Sequence, residues 1–159
     1  NWELGTRDAG SYATFSDVVD YLDWLGSNFT ESENTRERLE ASSIAIKSHE
    51  QELVDLVING AEDIVGLRNN KKIRIIGNPA STSREGVVSF FHKNKPSRII
   101  VEELRKRKIR VHIRKDDHYC GNILRPLNQK DCIRFSICHY NSKAEVVEFL
   151  RAINEISAN

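Results

Sequence analysis

An arginine and a cysteine fourteen residues apart carry the chemistry this sequence offers. Arg134 lies in the alternating run Cys132-Ile133-Arg134-Phe135-Ser136-Ile137. With period two, Arg134 and Ser136 share one face of a strand, and Ile133, Phe135 and Ile137 share the other. A guanidinium fixed on a strand makes a good carboxylate clamp, because its planar fork meets both oxygens at once. Cys120 precedes it in a segment punctuated by Gly121 and Pro126. A loop thiol can act as a nucleophile where a base or a positive field forms its thiolate. His118 is two residues away and Arg114, Lys115 and Arg125 are near in sequence, whereas Asp116 and Asp117 oppose a thiolate. The combination fits a site for a small amino or keto acid. An ordinary loop cysteine and a structural strand-edge arginine are the alternative readings of the same residues.

The elements that must position these groups follow from periodicity. Phe15, Val18, Val19, Leu22 and Leu25 recur at helical spacing and predict a helix over 12–25, with Gly26 as its C-cap. Thr30-Glu31-Ser32-Glu33 has the form of a capping box and would open a long helix to about Ile58, with Leu39, Ile46, Leu53 and Val57 on one stripe. Asn59-Gly60 stops it. Strands are expected over 72–77 and 87–91, separated by a polar loop, then a helix over 97–106. Ile109, Val111 and Ile113 alternate as a further strand. A long irregular segment over 114–131 follows, of the kind that often carries function. The last strand is 132–137, and a second capping box, Ser142-Lys143-Ala144-Glu145, opens a final helix to about Ile156. This order predicts an α+β fold, one small sheet covered by helices.

Four blocks, in order, resemble the class V aminotransferase family, the pyridoxal-phosphate enzymes that include cysteine desulfurases and selenocysteine lyases. Trp2-Glu3-Leu4-Gly5-Thr6 is similar to a Phe-Glu-x-Gly-Thr start, and Arg84-Glu85-Gly86-Val87-Val88-Ser89-Phe90 to an Arg-x-x-x-Val-Ser-Phe strand. Asp117-His118-Tyr119-Cys120-Gly121 stands where the family carries Gly-His-His-Cys-Ala, and Arg134-Phe135-Ser136 with Tyr140-Asn141-Ser142 resembles Arg-x-Ser-x-x-x-Tyr-Asn-Thr. The first of these two departs from the family in having Asp117 and Tyr119.

The resemblance implies the small C-terminal domain of such an enzyme. Residues 1–33 would be a lead-in segment and first helix, and 34–159 the small α+β domain. It implies that Arg134 holds the substrate α-carboxylate, that His118 also contacts substrate, and that Cys120 takes sulfur as a persulfide. Thr6 would reach the cofactor phosphate of the neighbouring subunit in a homodimer. The chain has no methionine and begins at Asn1, and nothing in it resembles the motif of the Schiff-base lysine. The pyridoxal-binding domain is therefore expected outside this chain, and the chain alone is expected to bind no pyridoxal phosphate and to be inactive. The alternatives are an aminotransferase or β-lyase of the same fold in which Cys120 is idle, and a non-catalytic interaction module.

Composition narrows the partners. A net charge of +1 names none, and three cysteines without a disulfide framework suit a reducing, cytoplasmic setting. There is no signal peptide and no long apolar run, so no membrane association is expected. The basic run Arg105-Lys106-Arg107-Lys108-Ile109-Arg110 has no interleaved aromatics. It reads as a solvated helix end rather than a nucleic-acid contact. His112, His118, Cys120, Cys132, Cys138 and His139 are metal-ligand types without a metal-site spacing, and no metal is expected.

Overall fold

The computed structural model describes residues 8–80 and 84–158. The chain divides into two compact units, residues 1–48 and 49–159, with the division inside a long helix. In the first unit, α1 spans Ala9–Gly26. Asp8 starts it by accepting the Ser11 amide at 3.2 Å. Phe15, Val18 and Trp24 on this helix are exposed.

Two local expectations for this unit are corrected. Gly26 is not the cap but the last helical residue, and Ser27 caps the helix. The glycine is required for another reason: a Cβ there would stand 2.0 Å from the Arg38 carbonyl oxygen, so only glycine lets the two backbones meet. The helix α2, Thr35–Asn59, does not start from the Thr30–Glu33 box. Asn34 stands directly before it, and its Oδ1 accepts the amides of Arg36 at 2.9 Å and Glu37 at 3.3 Å. The hydroxyls of Thr30 and Ser32 accept instead from the amides of Ser32 and Asn34, winding the lead-in.

The second unit is a four-stranded antiparallel sheet in the order β3-β4-β6-β5, with its longer helices on one face. Its strands are β3 Ile73–Ile75, β4 Val87–His92, β5 His112–Lys115 and β6 Asp131–Ser136. A hairpin of two-residue strands, β1 Gly60–Ala61 and β2 Ile64–Val65, follows α2 and was not expected from periodicity. Each of its strands is too short to show an alternation. Helix α3 covers Ser97–Lys106, as its spacing predicts, and α5 covers Lys143–Ala158. The Ser142–Glu145 capping box forms: Ser142 donates its amide to Glu145 Oε2 at 2.7 Å and accepts the Glu145 amide at 3.3 Å.

The core lies between the sheet and the helices. Leu53, Val57 and Ile58 of α2, Ile100 and Leu104 of α3, and Phe149, Leu150 and Ile153 of α5 pack on Val88, Phe90, Ile133 and Phe135. Phe135 stacks on Phe149 with ring centroids 4.1 Å apart. The strand expected through Ile109 and Val111 begins only at His112, because Lys108 turns left-handed (φ 63°) at the end of α3. Gly86 lets the start of β4 approach the end of β6: the Ile137 amide donates to the Gly86 carbonyl at 2.6 Å, and a Cβ on Gly86 would stand 2.3 Å from the Ile137 carbonyl oxygen. Among the described residues no helix is long and apolar enough to cross a membrane.

His92 closes β4. It is buried, and its Nδ1 accepts the amides of Asn94 at 3.1 Å and Lys95 at 2.9 Å. Burial, with Lys95 and Lys72 adding positive charge, holds its pKa below the ordinary 6.5. The unfolded chain therefore takes up this proton first. The His92 contribution to stability is complete above about pH 6.5 and is lost as pH falls through the folded-state value. His92→Asn keeps an acceptor for the same turn but does not titrate. The expected result is that the stability advantage of the native chain over His92→Asn, from urea unfolding, shrinks between pH 7.5 and 5. An advantage that stays constant over that range would show that His92 is not held neutral.

Candidate functional site

Strand β6 places Arg134 between two neighbours. In the register of the sheet, Arg134 pairs with Ser89 on β4 and with His112 on β5. Its own neighbours in sequence, Ile133 and Phe135, point into the core, so Arg134 stands on the face away from α3 and α5. The guanidinium Nε is buried without a hydrogen-bond partner, as is that of Arg84. A buried donor left unpaired is costly, so it gains from meeting an acceptor.

The segment after β5 folds back over part of the same face. It holds a short helix α4, Gly121–Leu124, and a 3₁₀ turn, Arg125–Leu127. The Asp116 amide donates to the Lys130 carbonyl at 2.9 Å, and Arg125 Nε donates to Asp116 Oδ1 at 2.8 Å. These two contacts close the base of the loop. A Cβ on Gly121 would stand 2.6 Å from Asp116 Oδ1 and 2.7 Å from the Arg125 guanidinium carbon, so a side chain there would push this ion pair aside. Inside the loop, Asp117 Oδ1 accepts the amides of Tyr119 and Cys120, each at 2.9 Å.

Cys120 is half-buried and packs, with Leu127 and Ile76, on a small cluster of Phe91, Leu124 and Cys132. Cys132 lies two residues along β6 from Arg134 and on the same face. The fold thus brings the two residues singled out by sequence, Cys120 and Arg134, to one side of one sheet. Burial, with Cys120 and Asp131 adding to it, pushes the Cys132 thiol up to about 11. Cys132 is therefore inert as a nucleophile near neutral pH. The amides of Cys120 and Tyr119 hold the Asp117 carboxyl below its usual range, so a carboxylate sits beside the Cys120 backbone.

The remaining sequence candidates are placed as follows. His118 is exposed and its ring lies 3.9 Å from that of Tyr119; among the described residues no hydrogen bond joins it to Cys120. Thr6 lies outside the described residues. Cys138 follows β6, where its amide donates to Asn141 Oδ1 at 2.9 Å, and hydrogen bonding to Cys138 raises the Tyr140 phenol. The Asn141 carbonyl accepts from His49 Nε2 at 2.8 Å, a tie across 92 residues with no local sequence signal. Ser89 and His112 were missed as neighbours of Arg134, since only the strand register sets them there. Among the described residues no three of His, Cys, Asp and Glu gather to hold a metal. In the basic run, Lys106 pairs with Glu103 at 2.6 Å and Arg107 with Glu155.

A cleft of about 590 Å³ opens between the sheet and the loop. Ile76, Val87 and Ser89 line it on the sheet side, and Asn122, Ile123 and Pro126 on the loop side. Arg84 stands at its edge, donating to the carbonyls of Val87 at 3.2 Å and Asn78 at 3.0 Å. No lysine lines this cleft. The donors on this face suit a carboxylate, and they do not by themselves suit pyridoxal phosphate, which needs a lysine amine for its aldehyde.

A family model described as aminotransferase class-V matches residues 34–149. No curated protein matches the chain. Among solved structures, the apo cysteine desulfurase from Thermococcus onnurineus NA1 is 23% identical, with a TM-score of 0.62 over 78% of this chain and 29% of its own. The cysteine desulfurase CsdA from Escherichia coli is 18% identical, with a TM-score of 0.55 over 79% of this chain and 31% of its own. A NifS-like protein from Rickettsia africae ESF-5 is 14% identical, with a TM-score of 0.58 over 79% of this chain and 33% of its own. The fold is theirs, and the chain spans about a third of the length of each.

The placement of the thiols has a direct consequence. A pKa near 11 against the ordinary 9.0 leaves Cys132 with roughly a hundredfold smaller thiolate fraction near neutral pH than an unperturbed thiol. Timed alkylation of the folded chain with iodoacetamide, read by peptide mass spectrometry, is expected to modify Cys132 last, at least about tenfold more slowly than Cys120. Equal rates for the two would show that the 116–130 segment does not stay packed on the sheet.

Proposed function

The chain belongs to the class V aminotransferase family, and on that footing we propose that it is the substrate-clamping domain of a pyridoxal-phosphate enzyme that acts on a cysteine-like amino acid. The observation that carries this reading is Arg134, with its buried and unpartnered Nε, on the same face of the sheet as Cys120. In this reading Arg134 holds the α-carboxylate through paired charge-assisted hydrogen bonds. That contact orients the amino acid and directs its side chain toward the loop that carries Cys120. As a thiolate, Cys120 would attack the substrate's sulfur, breaking the substrate Cβ–S bond so that its electron pair leaves with the carbon, which takes a proton to give the desulfurated amino acid. The sulfur would stay on the protein as a persulfide, Cys–S–SH, ready for transfer to an acceptor thiol. His118, exposed on the same loop, would contact the substrate, and Thr6 the cofactor phosphate of a second subunit. The cofactor's electron-sink chemistry belongs to residues other than those that line this face.

One feature favours a second reading, a lyase or aminotransferase of the same family in which Cys120 is idle. Among the described residues no base is hydrogen-bonded to the Cys120 thiol, and the ring of His118 lies against that of Tyr119 instead.

Two variants of the complete protein separate these readings. Arg134→Ala removes a charge-assisted clamp of about 2–3 kcal/mol, so KM for the amino acid is expected to rise roughly 30- to 150-fold. An unchanged KM would make Arg134 structural. Cys120→Ala is expected to abolish sulfide release from cysteine while amino-acid binding persists. Wild-type sulfide release from that variant would leave the second reading in place.

A further inference from the structure

The register of the sheet carries the clamp further than Arg134 alone. Ser89, Arg134 and His112 form one row across β4, β6 and β5, and all three side chains stand on the same face. Directly paired residues on adjacent strands have their Cβ atoms roughly 5 Å apart, so the three side chains leave the sheet as neighbours. Ser89 is half-buried and lines the cleft, whereas His112 is exposed on the edge strand.

Resting on the reading above, we propose that His112 and Ser89 are substrate-positioning residues, which together with Arg134 form a three-donor row that binds the α-carboxylate of the amino acid. Arg134 supplies the charge. Its fork takes one edge of the carboxylate, and the carboxylate has about four lone-pair sites, more than that fork can fill. His112, at the open edge of the sheet, donates a ring N–H to the outer oxygen. Ser89 donates its hydroxyl to the inner one, on the side where the cleft admits the rest of the substrate. The row therefore sets the rotation of the carboxylate about its own axis, and with it the direction in which the Cα substituents point. An arginine alone leaves that rotation looser. The ligand class follows: a free α-carboxylate is required, because its amide carries no charge to pair with Arg134 and has one oxygen replaced by a donor.

The test uses amide NMR of this chain, with L-alanine as the probe and L-alaninamide as its control. L-Alanine is expected to shift the backbone amides of Ser89, His112 and Arg134, and L-alaninamide to leave them in place. Arg134→Ala is expected to abolish the shifts. His112→Ala is expected to weaken L-alanine binding about three- to tenfold, and Ser89→Ala by a similar factor, because each removes one hydrogen bond of ordinary net strength at a partly solvated site. His112→Gln, which keeps a donor, is expected to recover most of that loss. His112 is exposed, so the unfolding midpoint of its variants serves as a control for folding. If Arg134→Ala abolishes binding while His112→Ala and Ser89→Ala bind as the native chain does, the row is overturned and the single clamp stands. If L-alanine shifts nothing on this face, or the amide binds equally well, the row is likewise overturned. The KM of Arg134→Ala in the complete protein then decides the clamp by itself.

Discussion

Strand β6 has to satisfy two solvents at once. Ile133, Phe135 and Ile137 are nearly fully buried, while Arg134 and Ser136 stand on the opposite face. A slip of one residue would drive the arginine into the core and the isoleucines out of it, so the burial of one face fixes the register of both flanking strands. The helices α3 and α5 depend on that register, because their apolar stripes meet Val88, Phe90, Ile133 and Phe135. Gly86 reinforces it from the side, by letting the backbones of β4 and β6 converge where a side chain would hold them apart. The backbone position of Arg134 is thus a by-product of core packing. A side chain anchored on a fixed strand has less freedom to lose on meeting an anion than one on a loop, which suits the clamp proposed for it.

The second face of the sheet is organised differently. Among the described residues it carries a small apolar cluster, Phe91, Leu124 and Cys132, on which the 116–130 segment rests. Short contacts close that segment at its base, between Asp116 and Arg125 and between Asp116 and Lys130. The ion pair is largely exposed at Arg125, so its contribution to stability is small. The closed base and the apolar footing keep the Cys120 thiol near the sheet. The persulfide carrier proposed for it would also have to reach an acceptor. The contrast with Cys132 is instructive. The same chemical group, a few residues away in a paired strand, is buried and has its pKa pushed up to about 11.

Much of this arrangement was legible before any coordinates. The period-two alternation of 132–137 placed Arg134 and the core residues on opposite faces, and the structure keeps that division. The helix over 97–106 and the Ser142 capping box form at the residues where their patterns stand. The failures have local physical causes. At Thr30–Glu33 the pattern of a capping box was present, but Asn34, one residue before the helix, is the better-placed acceptor. At Ile109 and Val111 the alternation was present without a strand, because Lys108 adopts a left-handed turn at the end of α3 and the chain pairs with β6 only from His112. Alternation reports which side of a chain is apolar, and it does not report where hydrogen bonding to a neighbour begins.

By itself, then, the sequence determined the local conformations, the apolar and polar faces, the family to which the chain belongs, and the two residue types that could do chemistry. These depend on composition and spacing within a few residues, which the chain carries wherever it is. Only the tertiary structure decided that Cys120 rests on the strand of Arg134, that Ser89 and His112 pair with Arg134 across the sheet, and that His49 ties down Asn141. Each of these joins residues 12 to 92 positions apart or residues on different strands. Such pairings are set by register and by the closing of the core, so they appear only when the whole unit has packed.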